Sequence, residues 1–167
     1  MASIIINDQV SEALKELQKR INNLEPVFRD IGQILRNSTE ERFRKAEDPT
    51  GQPWATLQPW YQEMKKKHKG KILFLSGRLE SSFSYSATND SVTLGTNVRY
   101  AAIHQFGGVI RPKTAKGLAI GGFNSEGKAK GWAKKVTIPA RPFLGISKKD
   151  NSDILQAITV HMASAWQ

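Results

Sequence analysis

The chain of 167 residues contains no cysteine. Disulfides, thiolate metal sites and cysteine nucleophiles are therefore excluded, and folding in a reducing compartment is accommodated. Long apolar runs are missing as well. The opening Ile4-Ile5-Ile6 is too short for the hydrophobic region of a signal peptide, and nowhere do about 18 apolar residues run together. The sequence thus reads as soluble and unexported, with no membrane partner. Acidic residues are scarce in one place: residues 49–149 hold 17 Lys/Arg against 4 Asp/Glu, while residues 1–48 hold 8 against 9 and residues 150–167 hold none against 2. All the excess of the +10 net charge belongs to the middle of the chain. Such a field attracts nucleic acid or acidic protein surfaces and weakens with salt. At this length one domain, spanning residues 1–167, can bury about two thirds of the surface its unfolded form exposes, so no metal staple is needed.

Catalytic patterns are also lacking. His68, His104 and His161 have no metal-ligand spacing, and the central acids Glu63, Glu80, Asp90 and Glu126 form no recognisable acid/base pair. Ser76-Gly77 has no G-x-S-x-G frame, and Gly117 to Gly122 lacks the Lys-Ser/Thr ending of a phosphate loop. The sequence reads as a non-enzyme without cofactor or metal. His104, between Ile103 and Gln105, is expected to hydrogen-bond backbone near the Gly107-Gly108 turn.

What is present begins with helical periodicity. Val10, Ala13, Leu14, Leu17, Ile21 and Leu24 form one stripe over residues 8–24, and Asn22-Asn23 with Pro26 end it. Pro26 can open a second helix at its first turn, with Val27, Phe28, Ile31, Ile34, Leu35 and Phe43 as its apolar face. Asp48-Pro49-Thr50-Gly51 is a turn, and Lys65 to Gly70 a solvated basic loop or frayed helix end. Ile72-Leu73-Phe74-Leu75 reads as an extended entry to a short helix over Gly77 to Ser82.

Ser84 to Thr88 and Ser91 to Thr96 flank Asn89-Asp90 in the pattern of a β-hairpin, for which residues 109–113 and 134–138 can supply partner strands. Between those two segments, Thr114 to Gly131 holds five glycines and one acid without hydrophobic period, and it is expected to be a long mobile loop. A last helix starts near Asp150 or Asn151, capped by Asp150, Asn151 or Ser152, with Ile154, Leu155, Ile158, Met162 and Ala165 on one stripe. Lys113, Lys116, Lys128, Lys130, Lys134 and Lys135 are candidate contacts for DNA phosphates or an acidic partner. With few aromatics among them, they suit contact without base readout.

Four motifs occur in order: Asp48-Pro49-Thr50-Gly51-Gln52-Pro53-Trp54, Ile72-Leu73-Phe74-Leu75-Ser76-Gly77-Arg78-Leu79, Tyr100-Ala101-Ala102-Ile103-His104-Gln105-Phe106-Gly107-Gly108, and Ile138-Pro139-Ala140-Arg141-Pro142-Phe143-Leu144-Gly145. Together they resemble the phage virion morphogenesis proteins of Mu-like phages, also called tail completion proteins, over roughly residues 40–150 and the flanking helices. The resemblance implies an α+β fold in which N-terminal helices and a C-terminal helix pack on a mostly antiparallel β-sheet, here with a long Gly/Lys-rich loop. It implies a structural subunit of the tail or neck of the virion, made in the bacterial cytoplasm, a tail terminator or head–tail connector. That subunit would form a ring homo-oligomer, a hexamer by family expectation, at the head-proximal end of the tail. Tail tube, sheath and head-completion or connector proteins would be its partners, with packaged DNA backbone in the channel. Tyr100, His104, Gln105, Phe106, Gly107, Gly108, Arg141, Pro142 and Phe143 would be its structural and interface residues. Arg141, in a proline-stiffened strip, is expected to make a two-pronged contact to a carboxylate or to backbone carbonyls, within the subunit or across the ring. The alternative reading is a free-standing basic protein that binds nucleic acid without sequence preference.

Overall fold

A computed structural model describes residues 9–65, 68, 70–123 and 129–163. The fold is α+β, with helices α1 (Gln9–Ile21), α2 (Glu25–Lys45), α3 (Pro59–Met64), α4 (Ala101–Phe106) and α5 (Lys148–Ala163). The strands are β1 (Phe83–Ala87), β2 (Val92–Thr96), β3 (Gly108–Ile110), β4 (Leu118–Phe123), β5 (Ala129–Ala133) and β6 (Val136–Ile138), and a short 3-10 turn covers Glu80–Ser82. Among the described residues there is no single sheet. The strands pair as β1–β2, β3–β6 and β4–β5.

The chain divides into two compact units. One comprises Met1–Asn37, Ser84–Gly95 and Lys148–Gln167, the other Ser38–Phe83 and Thr96–Ser147. In the first, Val27 and Ile31 of α2 are buried and α1 lies against α5. The hairpin of β1 and β2 turns at Asn89-Asp90, and its tip is tied to the helices. Asn89 Oδ1 accepts from the backbone N–H of Leu24 (2.8 Å) and of Glu25 (3.1 Å), and its Nδ2 donates to the Asn22 carbonyl at 2.7 Å. These N–H groups begin α2 and have no partner within the helix, so a turn residue 64 positions away caps it. Gly32 faces the Tyr85 ring closely enough that any Cβ would overlap it.

The second unit centres on four aromatic rings. Phe43 lies 5.3 Å from Trp54, 5.7 Å from Phe83 and 5.4 Å from Phe143, and Phe83 and Phe143 are 5.4 Å apart. Leu79, Val98 and Ala101 are also buried here, and Phe143 has no exposed surface. Tilted and edge-on ring pairs of this kind add to the area they bury.

Several expectations are corrected. Residues 114–131 are not a structureless loop, because Leu118–Phe123 and Ala129–Ala133 form an antiparallel ladder with Leu118 opposite Ala133 and Ile120 opposite Gly131. A bulge follows between Ile120 and Phe123. Glycine removed the side chains that would have shown alternation, while the backbone groups still required partners and found them across the ladder. Residues 109–113 and 134–138 do not extend the β1–β2 hairpin. Instead Gly108–Ile110 pairs with Val136–Ile138. Ile72 to Leu75 is a series of turns with Leu73 at φ 55°, not an extended strip. α5 begins at Lys148, so Asp150 is no cap; it sits in the first helical turn and is 2% exposed. Lys128 lies outside the described residues.

Candidate functional site

The strip Arg141 to Gly145 has no strand beside it, yet it runs through the aromatic core with its backbone groups satisfied by three separate parts of the second unit. Arg141 N–H donates to the His104 carbonyl at 2.7 Å. The indole Nε1 of Trp54 donates to the Pro142 carbonyl at 2.8 Å. The carboxamide of Gln105 imitates a strand edge: its Oε1 accepts from the N–H groups of Phe143 and Leu144, both at 3.0 Å, and its Nε2 donates to the Leu144 carbonyl at 3.1 Å. Arg42 Nη1 donates to the carbonyls of Phe143 and Gly145, both at 2.9 Å. Burying extended backbone would otherwise leave polar groups without partners, at a cost of about 1–3 kcal/mol each.

Arg141 closes the arrangement from the other side. Its Nε donates to the Ala55 carbonyl at 2.8 Å and its Nη2 to the Thr56 carbonyl at 3.0 Å, so the guanidinium spans two consecutive peptides just beyond Pro53 and Trp54. Burial lowers its pKa from the usual arginine value. The contact lies within the subunit and uses carbonyls. Gly107 makes the approach possible: it sits at φ 70°, and a Cβ there would come 2.7 Å from the Ala140 nitrogen. The turn at Asp48 is fixed by its own carboxylate, which accepts from the Thr50 N–H and hydroxyl and from the Gln52 N–H. Those bonds, the Thr50 hydroxyl foremost, hold the Asp48 pKa below its usual range.

Beside this strip opens a cleft of about 420 Å³ lined by Trp60, Phe74, Leu79, Tyr100, His104 and Arg141 among others. No carboxylate lines it. His104 Nδ1 is buried without a hydrogen-bond partner, so this nitrogen does not make the bond to backbone expected of the ring. Burial first, and the Arg141 charge second, lower the His104 pKa, so the ring is held neutral. Lys65, read from sequence as the start of a solvated loop, is 4% exposed. Its ammonium donates to the Lys71 carbonyl at 2.8 Å and the Phe74 carbonyl at 2.7 Å, and burial lowers its pKa. Among the described residues no group of His, Cys, Asp and Glu could hold a metal ion, and no helix is long and apolar enough to cross a membrane.

The same motifs have an outward side. Tyr100 is 44% exposed and Phe106 78%, and all three residues of β3 are exposed, including Val109 and Ile110. Since β3 pairs only with β6 among the described residues, its second edge presents backbone donors and acceptors beside apolar side chains. Pro142 is half-buried, and Gly108 takes φ 155° against the Ile103 side chain. Lys113, Lys116, Lys134 and Lys135 are all exposed. Lys130 lies in β5. The contributions that sequence reading missed are Arg42 and Lys65. Arg42 left a faint trace, since the stripe Val27, Ile31, Leu35 continues at helical spacing through Thr39 and Arg42, both buried.

Comparison with known proteins gives these motifs a context. The profile of the Phage virion morphogenesis family matches residues 5–163. The chain belongs to this family. It is 30% identical over 160 residues to "Mu-like prophage FluMu G protein 2" of Haemophilus influenzae, covering 95% of this chain and 94% of that protein. It is 28% identical over 166 residues to "Putative capsid assembly protein G" of Escherichia phage Mu, covering 93% and 94%. No solved structure matches. Family membership places the Gln105 and Arg141 contacts in a protein of virion morphogenesis.

Proposed function

We propose that this protein is a non-catalytic tail-completion or head–tail joining subunit that assembles as a ring, six-fold by family resemblance, at the head-proximal end of the phage tail. In the virion it would contact tail tube or sheath proteins on one side and head-completion or connector proteins on the other. The observation that carries the reading is the exposure of Phe106 at the end of α4 and of Val109 and Ile110 on the two sides of the edge strand that follows it. Left in water, an apolar edge invites uncontrolled pairing, so a protein that retains one has a partner for it. A head-to-tail contact repeated around an axis closes into a ring when its rotation divides a full turn. The neighbouring core strip, fixed by Gln105, Arg42 and Arg141, holds α4 and β3 rigidly enough to present those side chains in one geometry. The names of the family and of the phage Mu relative also describe assembly.

The test is mass measurement and particle imaging of the purified protein beside Phe106→Ser and Val109→Lys. Closed rings from the parent chain and folded monomers from both variants are expected. A parent that stays monomeric alone and with tail extracts, or variants that assemble like the parent, would remove the reading.

A further inference from the structure

The β3–β6 and β4–β5 ladders share their strands' continuations: the seven residues 111–117 lead from β3 to β4, and the two residues 134–135 lead back from β5 to β6. This waist is bounded by the pair Ile110–Val136 at one end and Leu118–Ala133 at the other. The two links run close together, since a Cβ on Gly117 would lie 3.1 Å from the Ala133 carbonyl oxygen. Residues about twenty positions apart in sequence therefore meet at one place in the second unit. Arg111, Lys113, Lys116, Lys134 and Lys135 are all here and all exposed, and the links contain no acid. None of the five has an ion-pair partner among the described residues.

We propose that this waist binds the phosphate backbone of duplex nucleic acid without reading its sequence. The inference goes beyond the assembly reading and does not need a ring. Three features favour phosphate over an acidic protein face. Four of the five cations are lysines, a residue depleted in protein–protein interfaces but suited to phosphate as a point charge. No carboxylate or apolar side chain larger than alanine or proline stands in the links to give a protein partner the mixed, well-packed contact it needs. The spacing also fits: a two-residue link spans at most about 10 Å between the flanking paired residues, and a duplex carries about one charge per 3.4 Å along each strand, so the strand nearest the waist offers it about three phosphates. Within two residues of either link in sequence Trp132, 54% exposed, is the one aromatic, too few for the successive stacking that single strands require.

The experiment measures fluorescence anisotropy of a labelled 30-base-pair duplex of arbitrary sequence with the full chain, at salt concentrations from 50 to 200 mM. The variant carries Lys113→Gln, Lys116→Gln, Lys134→Gln and Lys135→Gln. A control carries Lys15→Gln, Lys19→Gln, Arg29→Gln and Lys148→Gln, the same charge change in the other unit. Each phosphate contact contributes about 0.9 to the slope of log K against log salt, so the waist variant loses between three and four from the slope and binds about a hundredfold more weakly at low salt. The control keeps the slope, and a duplex of scrambled sequence binds the parent equally well. Denaturation midpoints of both variants show that they are folded. No binding by the parent at 50 mM salt, or an unchanged slope in the folded waist variant, overturns the proposal. So does a poly-glutamate probe that binds tighter than the duplex with the same lysine dependence, which would assign the waist to an acidic protein. Ring formation is scored separately, so loss of assembly and loss of duplex binding are distinguishable.

Discussion

Arg42, Lys65 and Arg141 are 4%, 4% and 5% exposed, and each donates to two backbone carbonyls of its own unit. Lys113, Lys116, Lys134 and Lys135 belong to the same unit, carry the same charge, and stand exposed in two short links. The difference separates cations that build the fold from cations available to a partner. A buried cation is tolerated only where oxygen atoms replace its water, and once so surrounded its field is largely spent on them. An exposed lysine keeps its field and its mobility. The +10 net charge of the chain is thus a mixture. Counting it as one patch overstates the surface available to DNA.

The sharpest way to break the comparison is at the centre of the buried set. Phe143→Ala removes a side chain with no exposed surface from the ring cluster that the arginines frame. A loss of about 3–5 kcal/mol is expected by urea denaturation. Arg141→Lys keeps the charge but cannot span the Ala55 and Thr56 carbonyls, and a loss of about 1.5–3 kcal/mol is expected in the same assay. If that variant denatured with the parent, the fork would not be structural and the comparison would fail on its buried side.

His104 sharpens it through pH. Its folded pKa lies below 6.5, so the unfolded chain takes up the proton first as pH falls. The stability that goes with a neutral ring is complete above about pH 6.5, declines as pH drops toward the lower folded value, and then levels. Denaturation midpoints between pH 7.5 and 5.5 should fall in the parent and fall less in His104→Asn. Equal slopes would mean that the ring is not held neutral by burial.

Ala46 offers a change of opposite sign outside both sets. It ends α2 at φ 56°, with the Glu47 N–H donating back to the Arg42 carbonyl at 3.2 Å, a helix end that glycine normally occupies. Ala46→Gly should stabilise by about 0.5–1 kcal/mol, read as a raised urea midpoint. The smallest effect belongs to the exposed set. Replacing Lys113, Lys116, Lys134 and Lys135 by glutamine should leave stability within about 0.5 kcal/mol, because no fold contact is lost. A larger drop would place these lysines with the buried ones.

Legibility followed the range of the interaction. α1 and α2 were readable because apolar residues recur at helical spacing, and the hairpin turn because Asn89-Asp90 joins two β-rich segments. α5 was readable from its stripe, with its start two residues late. The β4–β5 ladder was not, since five glycines in residues 114–131 erased the period that strands show. Arg141 was marked out by its two prolines and Gln105 by its motif, but the atoms they would bond could not be named. Nothing local distinguished Lys65 from the lysines that follow it, although its ammonium is buried under two carbonyls.

By itself the sequence determined the family, through four motifs in fixed order, and the local backbone, through glycine and proline whose allowed angles are intrinsic to the residue. Tertiary structure alone decided that β3 pairs with β6, that a turn asparagine caps a distant helix, and which cations lose their water. Those outcomes depend on what lies across space from a residue. A side chain's charge is fixed by its chemistry, but whether carbonyl oxygens or solvent surround it is settled only when remote segments meet.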